Sequence, residues 1–300
     1  MKKYVNLFID YLRYERNYSG HTIRSYTNDL LQFVDFLDEK AVAEGADFDI
    51  AGIDADIVRQ WMMGLMKQSL SSASVNRKLS ALQTFFSYAI RQGFIKKHPL
   101  RLVSGPKKSK PLPDFIKEKE IVALLDSDLE DTGFEAVRNR LMLEMFYETG
   151  IRCAELVGIK NTDVDTDAML LKVTGKRNKQ RLIPFADRLK KMIINYVNVR
   201  AREIGEGSAF FFIRQDGRPV TSAIVYYAVK KNLSTITALA KRSPHVLRHT
   251  FATSLLNDGA ELSAVSSLLG HNSLASTSVY THVTFEELKK VYNAHPRAKN

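Results

Sequence analysis

Three hundred residues, 45% hydrophobic and 26% charged, suffice for one large domain or two ordinary ones and are too apolar for disorder to be the main state. A lone cysteine, Cys153, excludes a disulfide scaffold, and no apolar run approaches the roughly 20 residues of a membrane span. Asp10, Arg13, Glu15 and Arg16 interrupt the N-terminal stretch that would serve as a signal peptide, so a cytoplasmic protein is expected. Lys and Arg number 44 against 33 acidic residues, a net charge of +11. This points to a polyanionic partner, nucleic acid before an anionic membrane, although a merely basic soluble enzyme has the same arithmetic.

In chain order, Val5, Phe8, Ile9 and Leu12 recur at helical spacing and predict a helix over 4–16. Ser19 is placed to cap a second, running to about Leu37. A third is expected from about Ala55 to Met66. A fourth, capped by Ser71 or Ser72, runs to about Arg91, with Leu79, Leu82, Phe85, Phe86 and Ala89 on one face. Four helices with short connections predict a helical bundle over 1–100. Pro106, Pro111 and Pro113 beside Lys107, Lys108 and Lys110 then predict an extended basic linker over 101–114. Both flanking parts are basic, as suits a clamp around a duplex. From 115 to 300 the reading is mixed. Helices are expected at about 117–126, 134–148, 152–158, 222–231, 244–257, 261–268, 274–281 and 285–293. Strands are expected at 168–174, 180–185 and 209–213, with GKRNK as a hairpin loop between the first two. The fold class is therefore mainly α with a small β-sheet.

Four segments carry chemistry. In SPHVLRHT, Ser243 and Pro244 mark a helix start, and His245 and Arg248 share a face in its first turn. A helix N-terminus favours anions, so an imidazole and a guanidinium there can clamp a phosphate; equally, they can simply solvate the helix. His245 and His249 lie four apart, but no HExxH glutamate or cysteine accompanies them, so no metal site is expected. In ETGIRCAE, Gly150 ends one helix and Arg152 opens the next, with Glu155 three residues on to orient the guanidinium or to form an ordinary surface pair. Cys153 has no evident base beside it and reads as a packed residue. The hairpin crowds Lys176, Arg177, Lys179 and Arg181 at one tip, which either enters a groove or stays solvated. Tyr280 follows His271 by nine residues in a Ser/Thr-rich segment, where a tyrosine is either packed or reactive.

Taken in order, TGIR, GK, HVLRH, LGH and YTH form a set far more specific than its parts. On these motifs the chain resembles the tyrosine site-specific recombinases of the phage integrase family, over essentially its full length, and within them the bacterial XerC/XerD group. The resemblance implies an N-terminal SAM-like helical domain that clamps DNA and a mixed α+β catalytic domain ending in an oligomerisation tail at about 284–300, although the stripe of Leu288, Val291 and Tyr292 in that tail reads equally as packing on its own domain. It implies that Tyr280 attacks DNA to form a 3′-phosphotyrosyl link, that Arg152, His245 and Arg248 bind the scissile phosphate, and that Lys176 protonates the leaving 5′ oxygen. His271 completes the pocket and Glu155 supports it. No cofactor or metal is implied, since the cations do a metal's work. Where family members commonly carry a later Gly and Glu in the hairpin, this chain has Arg177 and Gln180. The loop around Lys176 is less determined for that reason, and Lys179 is the alternative acid.

Arg77 and Lys78 in the fourth helix, Lys107, Lys108 and Lys110 in the linker, and Arg177, Lys179 and Arg181 in the hairpin are the expected DNA contacts. The implied partners are double-stranded DNA with a specific core site, a homo- or hetero-tetramer with a second Xer-type recombinase, and a septal DNA translocase as activator. Dimer resolution is the leading expectation, because no extra arm-binding domain precedes residue 1. The alternatives are integration or excision of a mobile element, a type IB topoisomerase, and a non-enzymatic DNA-binding protein on the same fold.

Overall fold

The computed structural model describes residues 1–44, 49–107, 115–127, 133–175, 178–236, 242–270, 292 and 295–296. The chain divides into two compact units, Met1–Pro111 and Leu112–Asn300.

The first unit is helical: α1 (Lys2–Asp10), α2 (Gly20–Glu44), α3 (Ala55–Lys67) and α4 (Ser72–Arg91). The starts of α2, α3 and α4 have local causes. The Ser19 hydroxyl accepts from the Thr22 amide at 3.3 Å, Asp54 accepts from the Asp56 and Ile57 amides at 2.9 Å, and Ser71 accepts from the Ser74 amide at 3.2 Å. α1 ends in a single π-helical turn, Tyr11–Glu15, and α2 extends past the expected Leu37. The apolar faces meet in an aromatic core. Phe33 packs edge-on against Trp61 at 5.0 Å between ring centres, and Phe8 against Phe85 at 5.5 Å. Leu100 is buried in the same core and Val103 packs against it. The Pro106 carbonyl accepts from Asn76 at 2.8 Å.

Lys78 corrects an expectation. It is 5% exposed, donating to Asp29 at 3.0 Å and to Gln32, so its ammonium is not available to a duplex. Arg77 also binds Asp29 and donates to Ser25 at 2.7 Å, but its side chain is half-exposed. Asp29 is itself buried, and it needs cations from α4 to offset the cost of taking a carboxylate out of water. The α2–α4 contact thus consumes a charge that the sequence offered for DNA.

The second unit contains α5 (Glu118–Asp126), α6 (Phe134–Thr149), α7 (Cys153–Gly158), α8 (Asp187–Glu203), α9 (Ser222–Leu233), α10 (Pro244–Asn257) and α11 (Leu262–Leu269). Its antiparallel sheet runs β1 (Val164–Asp165), β2 (Leu170–Thr174), β3 (Gln180–Pro184) in spatial order, with Val173 opposite Arg181. α6 is buried on nearly every side, enclosing Arg138, Arg140, Glu144 and Glu148 along with its apolar residues, and α8, α9 and α10 pack on it. Leu141, Met142, Leu143, Met145 and Phe146 are fully buried there.

Two departures have physical reasons. α8 has no counterpart among the sequence expectations. Its run of Ile193, Ile194, Val197 and Val199 is β-branched, yet Leu189, Ile193, Tyr196 and Val199 all fall on the buried face of a helix. The strand expected at 209–213 is only a pair of isolated bridges, Lys160 to Phe210 and Ile213 to Pro219. The carbonyls of Ala209 and Phe212 accept from the Asn161 and Val220 amides, and side chains take others. Arg200 binds those of Ser208, Phe210 and Phe211 at 3.1, 3.1 and 2.8 Å, and the Tyr196 hydroxyl donates to Phe211 at 3.0 Å. The helices expected at 274–281 and 285–293 lie outside the described residues, apart from Tyr292.

In the C-terminal segment, Tyr292 donates to Glu148 on α6 at 3.1 Å. The buried His295 ring lies 4.9 Å from that of Tyr147 and 5.2 Å from that of Phe251. These two residues therefore pack on the chain's own second unit.

Candidate active site

α6 stops because Gly150 turns left-handed, at φ 58°. A Cβ at this position would lie 2.3 Å from the Phe251 ring and 2.9 Å from Leu269, so only glycine fits between α10 and α11. The turn delivers Arg152 to the N-cap of α7. Glu155, in the first turn, accepts from the Arg152 amide at 2.8 Å and from its guanidinium at 2.9 Å. The other terminal nitrogen of Arg152 donates to the Gly270 carbonyl at 2.9 Å, and the side chain remains 36% exposed.

Arg248 reaches the same place from the first turns of α10. It donates to the carbonyl of Gly150 and, at 2.7 Å, to that of Leu269, and it is 8% exposed. Burial first, then Arg152 and Arg181 nearby, lower its pKa to about 10, so it stays cationic at neutral pH. Arg181 comes from β3 and takes both oxygens of Glu155, at 2.8 and 2.9 Å, while its Nε donates to the Leu268 carbonyl at 2.8 Å. Three successive carbonyls at the end of α11, those of Leu268, Leu269 and Gly270, thus each hold a different arginine. The negative end of a helix is a suitable anchor for such a group.

Burial pushes the Glu155 carboxyl up, but hydrogen bonds and charge from Arg181 and Arg152 outweigh it and hold the pKa at about 2. Three guanidiniums facing one carboxylate leave the cluster positive. With Arg152 partly open to solvent, it is built to receive an anion. His245 is exposed one turn before Arg248, and His249 is exposed as well. Cys153 is buried, and burial pushes its thiol up, as fits a packed residue.

The structure therefore brings Arg152, Glu155 and Arg248 together. Lys176, His271 and Tyr280 lie outside the described residues, as do Arg177, Lys108 and Lys110. The described residues that precede Lys176 and His271 in the chain, Gly175 and Gly270, lie at this cluster. A Cβ on Gly175 would lie 3.3 Å from a Glu155 oxygen, and Gly270 is the carbonyl partner of Arg152. The hairpin closes through the Gly175 amide to the Lys179 carbonyl at 2.7 Å, leaving the Lys179 side chain exposed.

Arg181 is the second correction. It was expected at the hairpin tip, touching DNA, but its side chain is 17% exposed and committed to Glu155. Strand alternation held the missing signal: Arg181 is two residues before the buried Ile183, and on β3 it is Leu182 that faces out.

The sequence matches the family model for the phage integrase family over residues 114–287, and that for the phage integrase N-terminal SAM-like domain over residues 5–93. The chain belongs to the phage integrase family. Its members, the tyrosine recombinases, cleave and rejoin DNA through a tyrosine, and this chain is an enzyme of that kind. It is 38% identical to a tyrosine recombinase XerC of Chlorobaculum tepidum, covering 99% of this chain and 95% of the relative. To the XerC of Listeria innocua it is 39% identical, covering 97% of each. In fold it matches a XerH site-specific recombinase bound to a palindromic difH substrate in a post-cleavage complex. The TM-score is 0.73 at 24% identity, covering 93% of this chain and 81% of that one. A lambda integrase dimer bound to a core site matches with a TM-score of 0.68 at 18% identity, covering 95% and 99%. Both show the two-domain recombinase fold. Among the described residues, no helix is long and apolar enough to cross a membrane.

Proposed function

We propose that this chain is a Xer-type recombinase that resolves chromosome or plasmid dimers by cutting and rejoining duplex DNA at a specific core site. The observation that carries the reading is the convergence of Arg152 and Arg248 on the end of α11, one partly open and one buried, with Glu155 orienting the first. The near-full-length similarity to XerC proteins supports the biological role.

In this reading the Tyr280 oxygen attacks the scissile phosphorus and the bond to the 5′ oxygen breaks. Lys176 gives its proton to that oxygen. Arg152, Arg248, His245 and His271 hold the non-bridging oxygens, where charge builds in the transition state. A free tyrosine has a pKa of ~10, so only about one in 10³ is ionised at pH 7, and a cationic pocket favours the phenolate. One phosphodiester replaces another, so a second 5′ hydroxyl can reseal the strand without ATP. Residues 1–100 clamp the core DNA, the 101–114 segment crosses the duplex, and Lys107, Lys108, Lys110, Arg177 and Lys179 follow phosphates. Four subunits, including a second Xer-type recombinase, assemble through the tail at about 284–300, and a septal DNA translocase switches them on.

The test is a covalent-adduct assay. Wild type and Tyr280→Phe are mixed with nicked suicide duplexes bearing candidate core sites, with and without the partner recombinase, and run on denaturing gels. An adduct is expected with wild type alone, on one preferred duplex. An adduct with Tyr280→Phe would overturn the assignment of the nucleophile, and relaxation of plasmids without site preference would favour topoisomerase action.

A further inference from the structure

Three arginines meet the end of α11, and the chemistry proposed above uses two of them. We propose that Arg181 is a positioning residue for strand cleavage: it locks β3 to Glu155 and to the Leu268 carbonyl, and thereby fixes how Arg152 is presented to the phosphate. This inference rests on the reading of Arg152 as a phosphate ligand.

The geometry is that of a shared carboxylate. Oε1 of Glu155 accepts from the guanidiniums of both Arg152 and Arg181, at 2.9 and 2.8 Å. Oε2 accepts from the Arg152 amide and from Arg181, at 2.8 and 2.9 Å. Arg181 therefore supplies half of the bonds that hold Glu155 in the orientation Arg152 needs. Its Nε is spent on Leu268, so each of its three nitrogens has a partner inside the protein and the side chain is only 17% exposed. A Cβ on Gly270 would lie 3.2 Å from the Arg181 guanidinium, so the backbone turn that ends α11 lies directly against it. The same strand, β3, follows the hairpin whose other arm ends at Gly175, beside Glu155.

Arg181 thus joins three segments that the reaction must keep in register: the start of α7, the β2–β3 hairpin and the end of α11. A planar fork fixes a carboxylate in two directions, whereas a lysine ammonium supplies only charge. Without Arg181, Glu155 keeps only the contacts it already has to Arg152 and is free to rotate with it. A displacement of about 1 Å in a group facing the reacting phosphate is enough to cost about 10²-fold in rate.

The experiment separates rate from affinity. Single-turnover cleavage is measured at saturating protein on the nicked duplex that wild type converts, for wild type, Arg181→Ala, Arg181→Lys, Glu155→Gln and the Arg181→Ala/Glu155→Gln pair. Binding of the same duplex is titrated at several salt concentrations. Arg181→Ala is expected to cleave about 10²-fold more slowly, with affinity and salt slope close to wild type. Arg181→Lys is expected to remain at least about tenfold slow, because charge without the fork does not restore register. The double variant should lose no more than the worse single one, as for residues acting through one unit.

Weaker binding with a salt slope lowered by about one, at an unchanged saturating rate, would make Arg181 a phosphate contact and overturn the proposal. Full rescue by Arg181→Lys would reduce its role to charge and overturn it as well. Should Arg181→Ala melt below the assay temperature, Arg181→Lys and Glu155→Gln carry the comparison. Failure of the underlying reading has a separate signature, an adduct that persists in Tyr280→Phe or is absent with wild type, and it would take the positioning role with it.

Discussion

Glu155 shows how a single side chain can serve both stability and site. Its carboxyl is held at about 2, below the 4.5 of an ordinary glutamate, because the Arg181 and Arg152 bonds outweigh the burial that pushes it up. A depressed carboxylate stabilises the folded state above its unfolded pKa, and that contribution is lost as the pH falls toward the folded value. The shift corresponds to stabilisation on the order of 3 kcal/mol, lost progressively between about pH 5 and pH 2. Urea unfolding followed across that window should show wild type losing more stability than Glu155→Gln, which should already be weaker at pH 7. Parallel curves for the two proteins would refute the assignment.

At the scale of elements, the α2–α4 contact of the first unit turns on Asp29. Its buried carboxylate is compensated by Lys78, also buried, and by Arg77. Removing one partner of a buried pair strands the other, at a cost of about 3–5 kcal/mol, whereas apolar replacement of both is often nearly neutral. Asp29→Ala should therefore lower unfolding stability by that amount in a urea titration. Asp29→Leu/Lys78→Met should recover most of the loss, and equal losses in the two variants would argue that the pair is not the cause. The end of α11 is built on the reverse logic. There the helix supplies carbonyls, and arginines from α10, β3 and the start of α7 supply the donors.

The whole molecule is two units, each with its own buried core, in a chain of net charge +11. Binding to a phosphate backbone releases counterions, so affinity should fall steeply with salt, with a slope near −0.9 for each phosphate contacted. Not every cation contributes to that slope. Lys179 is exposed at the hairpin and Lys78 is not. Lys179→Ala is expected to reduce the slope by about one, and Lys78→Met to leave it unchanged wherever the first unit stays folded. A slope change with Lys78→Met instead would return that residue to the interface.

By itself the sequence determined the helices of the first unit, because their apolar residues recur at helical spacing and Ser19, Asp54 and Ser71 cap three of them locally. It also determined the pairing of Arg152 with Glu155, since both lie within one helical turn, and the candidate phosphate ligand Arg248, through its ordered motif. Only the tertiary structure decided which charges are spent internally. Lys78 and Arg181 look like their exposed neighbours in a linear reading. Each turns inward because a carboxylate from a distant segment, Asp29 or Glu155, is buried and has to be neutralised where it sits. Tertiary structure likewise set the helical state of the β-branched run in α8 and denied a strand to residues 209–213, where the side chains of Arg200 and Tyr196 bind the carbonyls of Phe210 and Phe211. Local signals act over a few residues, whereas burial of charge and satisfaction of backbone groups depend on what the rest of the chain brings alongside.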